Sequence, residues 1–165
     1  MSFAKPKELR NKNDFYSTPE WCYQNLDLDW SWWKTAHEPC AGDHRITKFL
    51  TEKGLQTSYS EISEDLDYFK WDGKVDLILT NPPFSLAKEF IDHSLARATT
   101  VIMLLRINFL GSQKRYPWWI ENEPDSLIVL SKRPSFTGTG TDATEYAWFV
   151  WDKEKRFNGV KHLKL

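Results

Sequence analysis

Apolar and polar positions along this chain fall into two alternating rhythms. Residues 75–80 (VDLILT) and 99–105 (TTVIMLL) are continuous apolar, β-branched runs. Such runs mark strands covered on both faces. Shorter runs at 35–40, 55–60, 126–131, 144–151 and 160–165 predict five more strands. Between them the spacing becomes helical. Thr18 as cap and Pro19 at the first helical position predict a helix to about residue 26. Asp43 caps a second over 43–53, with Ile46, Phe49 and Leu50 on one face and Gly54 as its stop. Ser85 caps a third, whose buried face is Ala87, Phe90, Ile91, Ser94, Leu95 and Ala98. Residues 62–71 fit neither rhythm. Residues 109–122 read as helical, broken near Pro117.

Strands alternate with helices through residue 131. This predicts an α/β fold: a Rossmann-like, mainly parallel seven-stranded sheet with helices on both faces. The two closing strands have no helix between them, which predicts an antiparallel hairpin at one edge. Ligands in such sheets sit beyond the carboxyl ends of the strands. The loops of interest are therefore 40–44, 60–62, 81–84 and 106–112.

Length suits one domain: 165 residues, with a flexible basic arm at 1–14 and a single unit over 15–165. No separate target-recognition domain is expected. The 22 basic and 23 acidic residues nearly cancel, so any nucleic-acid binding must come from local patches. Cys22 and Cys40 make no disulfide framework and no metal-ligand spacing, so no metal is expected. The start is polar, without the apolar core of a signal peptide, and no run approaches a membrane span. A cytoplasmic location is expected. Nine tryptophans supply either core packing or a surface on which bases stack.

The third strand stops in Asn81-Pro82-Pro83-Phe84. Two prolines end any strand they follow and stiffen the corner. An apolar strand leading into Asn-Pro-Pro-Phe resembles the catalytic corner of S-adenosylmethionine-dependent amino methyltransferases, above all those acting on N6 of adenine. Further segments carry the same resemblance. DFYSTPEW (14–21) looks like the family's amino-terminal cofactor segment, EPCAGD (38–43) like its methionine-binding turn, and SEI (60–62) like its ribose acid. DYF (67–69) looks like the segment beside the cofactor's adenine. LLRINFLGSQKR and LSKRPSFTGTGTDATEYAWFVW look like the later part of compact phage and prophage enzymes.

The resemblance implies a class I methyltransferase using S-adenosyl-L-methionine. It assigns catalysis to Asn81, Pro82, Pro83 and Phe84. It assigns cofactor binding to Tyr16, Ser17, Thr18, Pro19, Glu38, Cys40, Ala41, Gly42, Glu61, Ile62, Asp67, Tyr68 and Asn81. It assigns substrate contacts to Phe84, Arg106 and Phe136. The amide oxygen of Asn81 and the carbonyl of Pro82 would accept the two amine hydrogens, and Phe84 would stack on the base. Phe136 is the expected second ring. Arg106 reaches the same cleft, either for phosphate or to pair with an acid. Lys114, Arg115, Lys132 and Arg133, with Trp118 and Trp119, are read either as a backbone-contacting rim or as a solvated face.

The sequence departs from the family pattern in three ways. His44 stands where a small residue, commonly glycine, is usual, and would either crowd the cofactor or point outward. Few residues separate Glu61 from Asp67, where a full helix is usual, so Asp65 competes with Asp67 as the contacting acid. A chain this short would borrow recognition surface from a second copy or a partner subunit, or act on single strands or RNA. The expected function is adenine-N6 methylation of DNA. RNA base or protein glutamine methylation is the alternative reading, and a non-catalytic binding module with a methyltransferase fold is another.

Overall fold

Side chains alternate across the central strands, and that alternation builds two cores, one on each face of a single sheet. The computed structural model describes residues 17–136, 140 and 143–165. Seven strands are present among these residues: β1 (Thr35–Glu38), β2 (Gln56–Tyr59), β3 (Val75–Thr80), β4 (Ala98–Arg106), β5 (Ser126–Val129), β6 (Tyr146–Asp152) and β7 (Gly159–His162). Their order in the sheet is β2-β1-β3-β4-β6-β5-β7. The first four pair in parallel, and β6 runs antiparallel to both β4 and β5.

Leu77, Leu79, Ile102, Leu104, Trp148 and Val150 point to one face. There they meet helix α1 (Trp21–Gln24) through Cys22 and Tyr23, and helix α2 (Arg45–Glu52) through Ile46, Phe49 and Leu50. The intervening residues Ile78, Val101, Met103, Ala147, Phe149 and Trp151 point to the other face. Helix α3 (Ala87–Leu95) covers them with Ala87, Phe90 and Ile91, and helix α4 (Tyr116–Glu121) adds Trp119. Period-two alternation thus fills both layers from one set of strands.

The antiparallel pair at this end of the sheet is β5 with β6, and the two closing strands do not pair with each other. Burial explains the order. Every residue of β6 is buried, so it belongs inside the sheet. All four residues of β7 are exposed, so it sits at the edge, parallel to β5.

Several element bounds differ from the sequence expectation. Helix α1 begins only at Trp21, because the Thr18 hydroxyl is drawn to Asn81 rather than to a helix N–H. A 3₁₀ turn over Phe84–Leu86 precedes α3, so Leu86, not Ser85, stands at its start. Pro117 lies in the first turn of α4 rather than at a break. The ambiguous stretch 62–71 holds two 3₁₀ turns, Ile62–Glu64 and Tyr68–Lys70, with no α-helix between β2 and β3. The tryptophans serve mostly as core: Trp33, Trp119, Trp148 and Trp151 are buried, and Trp21, Trp30, Trp71 and Trp118 pack against the two clusters.

Candidate active site at the carboxyl ends of the strands

The parallel strands β1, β2, β3 and β4 end at the same rim of the sheet, and their loops bring most of the expected residues together. At the end of β1, Glu38 is 2% exposed and accepts a 2.6 Å hydrogen bond from the Thr47 hydroxyl. Burial pushes its carboxyl well above the usual range, against the lowering effect of that bond. The chain then turns through Cys40, Ala41 and Gly42. Gly42 adopts φ +56°, a left-handed conformation that glycine tolerates readily.

The end of β2 is tied to that turn. The Ala41 N–H donates to the Ser60 carbonyl at 3.0 Å, and the Gly42 N–H donates to Glu61 Oε2 at 2.6 Å. Glu61 Oε1 accepts from the Ser63 N–H and hydroxyl at 3.1 and 2.9 Å. Both carboxylate oxygens are therefore committed to the loop, while an ionised carboxylate retains further lone-pair capacity. Beneath it lies His37, fully buried, bridging Ser58 Oγ at 2.7 Å and Ser60 Oγ at 2.8 Å, with its ring 3.8 Å from that of Trp71. Burial, reinforced by His93, lowers its pKa to about 4.

At the end of β3, Asn81 donates its side-chain amide to Thr18 Oγ1 at 3.0 Å. Its Oδ1 is buried with no hydrogen-bond partner among the described residues. The Pro83 carbonyl accepts the Leu86 N–H, whereas no described residue donates to the Pro82 carbonyl. Ser17 reaches Asp43 Oδ2 at 2.5 Å. Residues 17–19 thus lie across the β1 loop and the proline corner together. Tyr16 lies outside the described residues.

Beyond the corner, Phe84, Phe136 and Tyr146 form an aromatic cluster. The centroid of Phe84 is 6.3 Å from Phe136 at 64°, and 5.5 Å from Tyr146. The Arg106 guanidinium lies 4.7 Å over the Phe84 ring, and its Nε donates to the Tyr146 hydroxyl at 3.0 Å. Tyr146 went unnoticed in the sequence. Only its register opposite Arg106 in the β4–β6 ladder brings it here.

Other expected residues sit differently. Tyr68 is 2% exposed, with its hydroxyl 2.6 Å from Ser94 Oγ on α3 and its ring stacked on Phe90, so it is part of the core, and the exposed ring of this turn is Phe69. Asp67 begins the turn and accepts the Phe69 N–H at 3.0 Å. Ile62 is half-buried in the turn after Glu61. His44 contacts residues of the β2 end and of the turn that follows Glu61. Its Nε2 is 3.0 Å from Glu64 Oε2 and its ring edge meets Tyr59. Trp118 is half-buried, donating to Asp92 at 2.7 Å with Lys88 5.7 Å over its ring and Trp119 edge-on to it, and Trp119 is buried. Arg133 pairs with Glu145, and Lys132 lies 4.7 Å over Trp21. Among the described residues no His, Cys, Asp and Glu cluster could hold a metal, and no helix is long and apolar enough to cross a membrane.

No family model and no curated protein matches this chain. Solved structures do. A candidate RNA methyltransferase from Pyrococcus horikoshii superposes with a TM-score of 0.63 at 14% identity, over 88% of this chain and 91% of that one. A candidate class I S-adenosylmethionine-dependent methyltransferase from Listeria monocytogenes gives 0.57 at 9% identity, over 94% and 68%. The methyltransferase subunit of a type I restriction-modification system from Streptococcus thermophilus gives 0.58 at 14% identity, over 84% of this chain but 45% of that one. The chain has the Rossmann-like class I methyltransferase fold. At these identities the likeness concerns the fold alone. The loops described above lie at the carboxyl ends of the parallel strands of that fold, where open α/β sheets place ligands as a rule.

Proposed function

We propose that this chain transfers a methyl group from S-adenosyl-L-methionine to the exocyclic N6 of adenine in DNA. One observation carries the reading: the buried Oδ1 of Asn81 has no partner among the described residues, while the amide nitrogen of the same side chain is anchored to Thr18. A buried acceptor left unpaired costs about 1–3 kcal/mol. Such a group calls for an explanation, and a ligand that completes it is one.

The residues present fit the cofactor. Glu38 and Glu61 stand at adjacent strand ends, with Gly42 between them in a turn that brings backbone close. Glu61 would take ribose hydroxyls, and the 38–42 turn with Ser17, Thr18 and Pro19 would hold the methionine end. Asp67 and Ile62 would flank the adenine end. When bound, the cofactor supplies an electrophilic methyl group on a sulfonium sulfur.

The chain's own part is positioning. An exocyclic aromatic amine is a weak nucleophile, because its lone pair is delocalised into the ring. Asn81 Oδ1 accepts one N–H and the Pro82 carbonyl accepts the other, favouring a tetrahedral nitrogen whose lone pair is free to attack. Pro82 and Pro83 hold both acceptors in place before the base arrives, which is electrostatic preorganisation. Neither acceptor is a strong base, so the spare proton leaves for water after transfer. Phe84 gives the base a face, and the base must leave its stack to reach it. Recognition surface would come from a second copy or a partner subunit, in a cytoplasmic setting.

Transfer of tritiated methyl groups to DNA, RNA and protein, followed by nucleoside analysis, tests the reading. N6-methyladenine in DNA is expected. Label in RNA or in glutamine would move the substrate class to that polymer. Asn81→Ala should abolish transfer and leave cofactor binding within a few-fold. Full activity in that variant would remove Asn81 from the chemistry.

A further inference from the structure

A polar cavity lies against Phe84, the last residue of the proline corner. It has a volume of about 230 Å³ and is lined by Phe84, Leu105, Arg106, Asn108, Phe109 and Arg115 among others. That is below the roughly 300–1,000 Å³ of pockets for drug-sized ligands, so it suits one small group. Among the described residues two guanidinium groups and a side-chain amide border it, and no carboxylate does. Arg115 is held flat, its guanidinium 4.3 Å over the Phe109 ring and one nitrogen donating to the Phe109 carbonyl at 3.3 Å. No carboxylate pairs with it among the described residues. The stacked ring fixes the plane of the fork while leaving its remaining N–H groups for an anion, the geometry that favours arginine at phosphates. The neighbouring groove along α4 contrasts with it, being lined largely by Leu110, Tyr116, Trp119 and Ile120 with no cationic head.

We infer that this cavity is a phosphate subsite, with Arg115 and Asn108 as its donors, and that it takes a phosphodiester of the strand bearing the target base. The inference rests on the proposed reading of the Asn81–Phe84 corner, because Phe84 lines the cavity and is also the face proposed for the base. A base held against that ring would bring its own backbone towards the same cavity. Contacts of this kind position a strand without reading its sequence, which suits a chain whose overall charge is near zero.

The test measures binding in the absence of cofactor, by calorimetry and by NMR of the Arg115 Nε–H and Asn108 amide signals. The probes are inorganic phosphate, a trinucleotide with adenine at its centre, and the same trinucleotide with neutral methylphosphonates. The trinucleotide should shift both signals and bind about tenfold more weakly to Arg115→Gln. Its salt dependence should flatten by about 0.7 in the logarithmic slope, one single-strand contact. The methylphosphonate probe should bind weakly and equally to both proteins. Asn108→Asp, which places a carboxylate in the cavity, should weaken the trinucleotide further, and serves if Arg115→Gln fails to fold.

Equal binding of charged and neutral probes, or no effect of either variant, overturns the inference. Inorganic phosphate moving these signals while the trinucleotide does not also overturns it, leaving a free-anion site. Trinucleotide binding through Arg115 with no methyl transfer to adenine sustains the subsite and removes the methyltransferase reading instead.

Discussion

Thr18 accepts the side-chain amide of Asn81 at 3.0 Å, across 63 residues of sequence. The contact fixes which end of the amide faces the helix α1 segment and which is left as the buried acceptor. Thr18→Val keeps the shape and removes the anchor. The amide would then lose its preferred orientation, and a buried N–H would be stranded at a cost of about 1–3 kcal/mol. We expect turnover to fall by roughly tenfold or more, and Thr18→Ser to restore it. Steady-state kinetics beside urea unfolding checks this. A Thr18→Val enzyme with full turnover but reduced stability would make the contact structural only.

His44 adopts φ +66° at the start of α2, a left-handed conformation costing a non-glycine residue about 1–2 kcal/mol. Its pairing with Glu64 lies at the surface, where such pairs return only about 0–1 kcal/mol. His44→Gly should therefore leave stability unchanged or raise it by less than about 1 kcal/mol. Because the imidazole is held against Tyr59 and Glu64, cofactor affinity should move by less than about twofold. Calorimetry reads this directly, and a large gain would place the imidazole in the cofactor's way.

Acid stability should report His37. Its ring is kept neutral by burial, with a pKa of about 4 against an ordinary 6.5. The unfolded chain takes up a proton below pH 6.5 that the folded chain refuses. The stability contributed by the neutral ring is thus complete above pH 6.5 and is lost as pH falls towards 4. At about 1.4 kcal/mol per tenfold change the loss is on the order of 3 kcal/mol. Glu38 acts in the opposite sense, since its raised pKa favours the fold as pH falls. Urea unfolding from pH 7 to pH 4 should show a shallower decline in His37→Gln than in the parent. Parallel declines would mean that another group sets the slope.

Much of this was legible along the chain, and the exceptions have physical causes. The bounds of β3 follow from an apolar run stopped by two prolines, and the structure returns them unchanged at Val75–Thr80. Local pattern cannot report pairing partners. That is why the place of β6 between β4 and β5, and with it the approach of Tyr146 to Arg106, escaped the sequence. Tyr68 read as a cofactor neighbour by its position after Asp67, but a 3₁₀ turn rotates its ring inward to Ser94 and exposes Phe69. Which of two adjacent aromatics faces in depends on turn geometry that composition does not encode. His44 illustrates the converse: the sequence marks an unusual residue, and only φ shows that backbone conformation, more than crowding, is what a glycine would relieve.

Phe84 and Phe136 do not form an open slot in this conformation. A base held between two faces needs parallel rings about 7 Å apart, twice the carbon contact distance of about 3.5 Å. Here the centroids are 6.3 Å apart with the planes at 64°, and Phe136 also packs edge-on against Tyr146 at 5.2 Å. A base can enter only if Phe136 swings off Tyr146, so the two rings should differ under mutation. Phe84→Ala removes the face beside the reacting amine and should lower both turnover and nucleic-acid affinity. Phe136→Ala removes only the second face. It should raise KM for DNA by the roughly 1–3 kcal/mol that one stacked base contributes, with kcat and cofactor affinity nearly unchanged. A Phe136→Ala protein that loses thermal stability but keeps its KM would identify Phe136 as packing for Tyr146, with no part in holding the base.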